Sequence, residues 1–169
     1  MKHNLSRIRH PIDNLHRKTA LEKIIKRELF TLGAEIGVHE GITYKHLLNT
    51  CDDLKLIGVD PYIHGVGMER YNSYLKEFVK NNNRATFYLE KSEEAQEKIL
   101  DNSLDFVFID AEHTYDAVLQ DIKLWSPKVK NGGYIIGHDI TYETVYQAVH
   151  KIFGRKFDTD IDRIWYAKK

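Results

Sequence analysis

Hydrophobic positions along the chain alternate between two kinds of spacing. Short apolar runs typical of buried strands recur five times, and each is followed by apolar residues at every third or fourth position, as on one helix face. The five predicted strands cover residues 32–38, 55–60, 85–89, 105–110 and 134–137. Because strand and helix alternate, we predict an α/β fold with a parallel sheet and helices on both of its faces.

The predicted helices are bounded by local signals. A first helix ends near residue 29, with Thr19 and Glu22 as a capping box, and Ser92 is predicted to cap a later one. The remaining helix faces lie at 44–51, 68–79, 92–100, 115–125 and 145–153. The pair Gly132-Gly133 predicts a turn, and the segment 156–166 alternates enough to supply one or two closing strands.

The whole-chain composition limits the function classes. A length of 169 residues without an internal linker predicts one domain, 13–169, preceded by a flexible arm, 1–12. Basic and acidic residues number 25 each, which argues against a strongly basic nucleic-acid surface. A single cysteine, Cys51, excludes an intrachain disulfide and suits a reducing compartment. With no long apolar run or leader-like start, we expect a cytoplasmic protein without a membrane segment.

Candidate chemistry concentrates at the predicted strand ends. In open parallel sheets, ligands bind at the carboxyl ends of the strands, so these residues should converge on one edge. All five ends carry ionisable groups: Glu35 to Glu40, Asp60, Glu90 with Lys91, Asp110 to His113, and His138-Asp139. Polar strand ends are common singly, but five together favour a functional edge.

The first strand end indicates close approach of a ligand to the backbone. Gly37 and Gly41 flank a tight turn into a helix, and Asp60 ends the next strand, where a carboxylate can accept hydrogen bonds from both ribose hydroxyls. The dinucleotide pattern G-x-G-x-x-G is incomplete, since Arg70 stands where the third glycine after Gly65 and Gly67 would be. Phosphate-loop and hydrolase-elbow motifs are also missing from the sequence.

The motif Glu35-x-Gly37-x-x-x-Gly41-x-Thr43 resembles the first motif of class I S-adenosylmethionine-dependent methyltransferases. The stretch 105–140 resembles the branch that includes macrocin-type sugar O-methyltransferases. The resemblance covers roughly residues 32–139. It implies a Rossmann-like three-layer fold with a mostly parallel, seven-stranded sheet, and methyl transfer to the hydroxyl of a small molecule or a sugar.

The resemblance also implies roles for individual residues. The implied cofactor-binding residues are Glu35, Gly37, His39, Gly41, Thr43, Asp60, Pro61, Tyr62, Ser92 and Asp110. A divalent cation, Mg²⁺ or Mn²⁺, would be held by Asp110 and Asp139 with His138 as a further candidate ligand. Imidazole suits manganese better than magnesium, which leaves the identity of the ion open.

The expected mechanism is one in-line displacement, in which the acceptor hydroxyl must lose a proton. Either a metal held by Asp110 lowers the pKa of that hydroxyl, or His113 or His138 acts as general base, with His113 ranked first. Two other classes stay open at this point: a non-catalytic module that binds S-adenosylmethionine or a nucleotide, and a nucleotide-sugar or dinucleotide enzyme. The expected partner is a small-molecule hydroxyl acceptor, and a homodimer stays open.

Overall fold

The computed structural model of the 169-residue chain describes residues 14–62, 69, 73 and 75–169. Outside the described residues lie the predicted arm 1–12, the Gly65–Gly67 segment, and positions 68, 70–72 and 74 of the predicted helix 68–79. No helix in the described ranges is long and apolar enough to cross a bilayer.

Strands and helices alternate along the described chain, as the hydrophobic pattern predicts. The helices are α1 (Asn14–Glu28), α2 (Ile42–Thr50), α3 (Lys76–Lys80), α4 (Ser92–Ala95), α5 (Tyr115–Trp125) and α6 (Glu143–Phe153). The strands are β1 (Leu32–Ile36), β2 (Lys55–Val59), β3 (Ala85–Tyr88), β4 (Leu104–Ile109), β5 (Val129–Gly137), β6 (Asp158–Asp160) and β7 (Ile164–Lys168).

The seven strands form one sheet in the order β3-β2-β1-β4-β5-β7-β6. The pairs from β3 through β5 are parallel, whereas β7 pairs antiparallel with both β5 and β6. The order reverses beside β1, so the ends of β1 and β4 flank the crevice where ligands bind in such sheets. The predicted fold class, including the closing strands, is confirmed.

The core lies in two layers, one on each face of the sheet. Along β4, Phe106 and Phe108 pack with residues of α1 and α2, whereas Val107 and Ile109 pack with residues of α4, α5 and α6. Successive side chains of a strand point to opposite faces, so a continuous apolar run is buried on both sides. This double burial explains why β4 carries almost no polar residue inside.

Three predictions about helix caps and turns are wrong. Helix α1 begins at Asn14, so Thr19 lies inside it and does not cap it. The Gly132-Gly133 pair lies within β5, where the register against β4 shifts between Leu104 and Phe106. A Cβ on Gly133 would lie 2.3 Å from the carbonyl oxygen of Asp105, so glycine allows this irregular strand to approach its neighbour.

The third correction concerns Ser92, which is the first residue of α4 and not its cap. Its hydroxyl donates to Asp121 Oδ1 at 2.5 Å and accepts from Trp125 Nε1 at 2.8 Å, so it ties α4 to α5. The Asp121 side chain is buried, and this burial raises its pKa to about 6, although the hydrogen bond from Ser92 acts to lower the pKa. Ionised Asp121 therefore weakens the native state near neutral pH.

We expect Asp121→Asn to stabilise the protein at pH 7.5 but hardly at pH 4. A folded-state pKa of about 6, above the ordinary 3.8, means that wild-type stability is full below pH 3.8 and falls as the pH rises through 6. The variant should gain on the order of 2–3 kcal/mol over this window. Urea denaturation at both pH values measures it, and an equal effect at both would contradict the assignment.

Candidate functional site

The loop after β1 is shaped by two glycines. Gly37 has a φ of +88° directly after the strand, and Gly41 has a φ of +72° at the start of α2. A Cβ on Gly37 would lie 2.4 Å from the carbonyl oxygen of Asp110, at the end of β4. Strand β1 therefore ends at Ile36, two residues earlier than predicted, because the chain turns here against the neighbouring strand end.

Asp60 braces that loop from the end of β2. Its Oδ2 accepts from the amide of His39 at 2.9 Å, and its Oδ1 accepts from the amide of Tyr62 at 2.9 Å. The Tyr62 hydroxyl donates to the His39 carbonyl oxygen and closes the brace. Each carboxylate oxygen can accept a second hydrogen bond, so the oriented Asp60 can still bind two ligand hydroxyls.

Glu35 is a buried acid near the end of β1. The residue is only 2% exposed, and its Oε2 has no hydrogen-bond partner within the described residues. Burial, the charge of Asp110 and the charge of Asp60 raise its pKa well above the ordinary value, and Arg17 opposes them. Buried acids are normally paired, so Glu35 is suited to a donor that comes with a ligand.

Two acids and two histidines meet where β4 and β5 end. His138 Nδ1 lies 3.4 Å from Asp110 Oδ1 and 3.2 Å from Asp139 Oδ2. His113 Nε2 lies 3.0 Å from Asp139 Oδ2 and 3.8 Å from Asp110 Oδ1. Ligand atoms of Asp110, His113 and Asp139 lie within 4.8 Å of one another, close enough for one metal ion.

The acids and the histidines of this cluster shift one another's pKa. Burial alone would raise the pKa of Asp110, but the neighbouring imidazoles of His113 and His138 and the charge of Arg17 lower it to about 2. Burial alone would lower the pKa of His138, but Asp110 and Asp139 raise it to about 9. Asp110 and then Asp139 also raise the pKa of His113. The cluster is therefore a set of paired charges.

Two arginines that the sequence analysis missed reach the same acids. Arg17 Nη1 of α1 lies 2.5 Å from Asp110 Oδ2, and Arg163 Nη1 lies 2.6 Å from Asp139 Oδ1. Asp139, Asp162 and Arg163 all have φ near +60°, a costly backbone conformation for residues with a side chain. Neither arginine ends a β-then-α strand, so the strand-end pattern carried no signal for them.

The predicted site residues thus form two neighbouring groups. Glu35, Gly37, His39, Gly41, Asp60, Pro61 and Tyr62 surround the loop after β1, while Asp110, His113, His138 and Asp139 form the cluster beside it. Thr43 and Ser92 lie apart from these two groups: Thr43 is buried in α2, and the hydroxyl of Ser92 bonds to Asp121 and Trp125 of α5. Their cofactor-binding roles stay predictions.

A sequence model of the methyltransferase-domain family matches residues 34–140, more than half of the chain. The match spans the strand ends just described, from the glycine loop to Asp139. The chain belongs to this family. The membership confirms the prediction of a class I S-adenosylmethionine-dependent methyltransferase, as distinct from a dinucleotide enzyme on a similar sheet.

The chain also resembles individual proteins. An uncharacterized protein of Acanthamoeba polyphaga mimivirus, R132, is 32% identical over 109 residues, which are 62% of this chain and 49% of the relative. The matched part of this chain thus spans about half the length of that curated relative.

Solved structures share the fold at low identity. A provisionally assigned caffeoyl-CoA O-methyltransferase of Staphylococcus aureus is 15% identical, with 95% of this chain and 86% of that chain covered and a TM-score of 0.72. An O-methyltransferase of Bacillus cereus, solved with S-adenosylhomocysteine, is 14% identical, with 96% and 84% covered and a TM-score of 0.71.

We expect His138 to make stability depend on pH in the alkaline range. Its folded-state pKa of about 9 lies above the ordinary 6.5, so its contribution is full below pH 6.5 and is lost as the pH rises through 9. In EDTA, the free energy of unfolding of the wild type should fall between pH 7 and 9.5, and that of His138→Gln should fall less. The exposed His150→Gln should follow the wild type; parallel wild-type and His138→Gln curves would refute the shift.

Proposed function

We propose that this protein transfers the methyl group of S-adenosylmethionine to a hydroxyl oxygen of a small molecule. The observation that supports this most is the adjacency of the two groups of residues in the site. A braced carboxylate, a glycine loop and an unpaired buried acid offer a cofactor pocket, and the cluster of acids and histidines lies beside it.

The described residues offer S-adenosylmethionine acceptor oxygens that can take further hydrogen bonds. Asp60 is oriented by two backbone amides and keeps lone pairs for the ribose hydroxyls. Glu35 has an unpartnered oxygen inside the same crevice, suited to the ammonium group of the methionine portion. Gly37 and Gly41 let the loop backbone approach the ligand, with Pro61 and Tyr62 next to Asp60 as the proposed neighbours of the adenine.

The cofactor supplies a methyl group on a sulfonium, which an oxygen lone pair attacks in line as the carbon–sulfur bond breaks. The chain must hold the acceptor in line and remove its proton. We assign proton removal to His113, because its side chain is 41% exposed and Nε2 lies 3.0 Å from Asp139. The His138 side chain is only 5% exposed, so it is placed to hold Asp110 and Asp139 together.

The same cluster fits a divalent cation as an alternative way to activate the hydroxyl. Asp110, Asp139 and His113 would be ligands, and His138 Nδ1 faces the same two carboxylates. A metal would supply Lewis-acid polarisation of the acceptor oxygen. Two carboxylates with an imidazole favour Mn²⁺ over Mg²⁺, since magnesium prefers oxygen ligands. In that case His113 would be a ligand and not a base.

The acceptor is proposed as a small-molecule hydroxyl, with a sugar favoured only by the resemblance to macrocin-type enzymes. The ring of Tyr142, which is partly exposed, lies 5.4 Å from the ring of His113 and offers a flat apolar surface beside the proposed base. A ring-shaped acceptor could stack there. A homodimer and a cytoplasmic location stay proposals too.

We expect Asp60→Ala to weaken binding of S-adenosylhomocysteine by about 10- to 100-fold, because two hydrogen bonds to a charged acceptor are lost. Isothermal titration of the wild type with S-adenosylmethionine and S-adenosylhomocysteine measures it. Asp60→Asn loses the charge but keeps one acceptor oxygen for the brace, so it should lose less affinity than Asp60→Ala. The exposed Asp53→Ala is the control. Failure of the wild type to bind either compound would overturn the proposed function.

We expect His113→Gln to reduce methyl transfer by about 100-fold or more and to remove its rise with pH, since the raised pKa keeps His113 protonated at low pH. The assay measures release of S-adenosylhomocysteine with a catechol and a panel of monosaccharides as acceptors, with His150→Gln as the control. Wild-type activity that persists in EDTA supports the base. Activity that EDTA abolishes and Mn²⁺ restores would assign the step to a metal.

A further inference from the structure

Helix α1 brings a cation into the site from outside the methyltransferase motifs. The Arg17 side chain is 19% exposed, and its Nη1 holds Asp110 Oδ2 at 2.5 Å. Its Nε is buried and has no hydrogen-bond partner within the described residues. A guanidinium presents five N–H donors in a planar fork, so Arg17 can hold Asp110 and still bind a second acceptor through Nε.

Glu35 is an acceptor without a partner among the described residues, where Arg17 Nε is a donor without one. The Glu35 Oε2 is buried, and the charge of Arg17 is among the charges that act on this carboxyl. The Asp110 charge acts on Glu35 as well, so the three groups share one neighbourhood. Buried polar groups are normally satisfied, so an unpaired donor and an unpaired acceptor there point to a ligand that carries both signs.

We propose that Arg17 is a cofactor-binding residue whose guanidinium takes the α-carboxylate of S-adenosylmethionine, while Glu35 receives the α-ammonium. An α-amino acid group carries one acceptor and one donor of opposite charge on a single carbon, which matches the two unmet groups. Carboxylate recognition by arginine is strong and directional. The inference rests on the proposed function, since it assumes that the methionine portion lies beside Asp110.

The position of α1 is supported independently of Arg17. Glu22, further along the helix, contacts His46 Nε2 of α2 at 2.8 Å, and residues of both helices share one face of the core. Replacing Arg17 should therefore leave α1 docked. Arg27 is a matched control on the same helix, because it is exposed and forms an ion pair with its neighbour Glu28.

The test compares three ligands that differ in the amino acid portion: S-adenosylhomocysteine, its decarboxylated analogue, and 5′-methylthioadenosine, which lacks the whole portion. Titration calorimetry of Arg17→Met should show affinity for S-adenosylhomocysteine reduced by about 10- to 100-fold. Affinity for the two ligands without the carboxylate should stay within about twofold of the wild type. Arg27→Met should bind all three as the wild type does.

Arg17→Lys keeps the positive charge without the planar fork of donors, so its affinity for S-adenosylhomocysteine should lie between those of the wild type and Arg17→Met. Circular dichroism with thermal unfolding checks that both variants fold. Equal loss of all three ligands, or unchanged binding of S-adenosylhomocysteine, would overturn the assignment of Arg17. A raised acceptor KM alone would assign Arg17 to the acceptor instead. Failure of the wild type to bind any of the three ligands would instead contradict the proposed function.

Discussion

The close parallel approach of β1 and β4 is the constraint on which the site depends. Their register sets Ile36 beside Ile109, so the next residues, Gly37 and Asp110, leave the sheet together. The space beside the Asp110 carbonyl is too small for a Cβ, which makes glycine necessary at the turn. Because the two strand ends are flush, the glycine loop after β1 lies beside the cluster formed by Asp110, His113, His138 and Asp139.

Asp110 lies among the charged side chains at the ends of β1 and β4. It contacts Arg17 and His138, and its charge adds to burial, the larger cause, in raising the pKa of Glu35. Removing water from several ionisable groups is costly unless they compensate one another, and here they do so in pairs. Glu35 differs, because its Oε2 has no hydrogen-bond partner in the described part of the chain, and we propose that the cofactor supplies one.

Strand periodicity predicted the fold well because double burial leaves a strong signal. The alternation of Phe106 and Val107 between two core layers is visible as an unbroken apolar run. Predictions failed where a side chain had a better partner at a distance: the Ser92 hydroxyl bonds to Asp121 of α5, although a local cap was expected. The glycine pair in β5 predicts a turn from sequence, because an irregular strand register has no local signature.

The sequence by itself determined which polar residues lie at the carboxyl edge of the sheet, because the βα repeat sets the direction of the parallel strands. These residues are the glycine loop, Asp60, Asp110, His113, His138 and Asp139. Only the tertiary structure decided which charges meet. Arg17 lies 93 residues from Asp110, and Arg163 reaches Asp139 through left-handed backbone at the closing strands. Such pairs depend on packing across the sheet edge, and no periodicity in the chain encodes them.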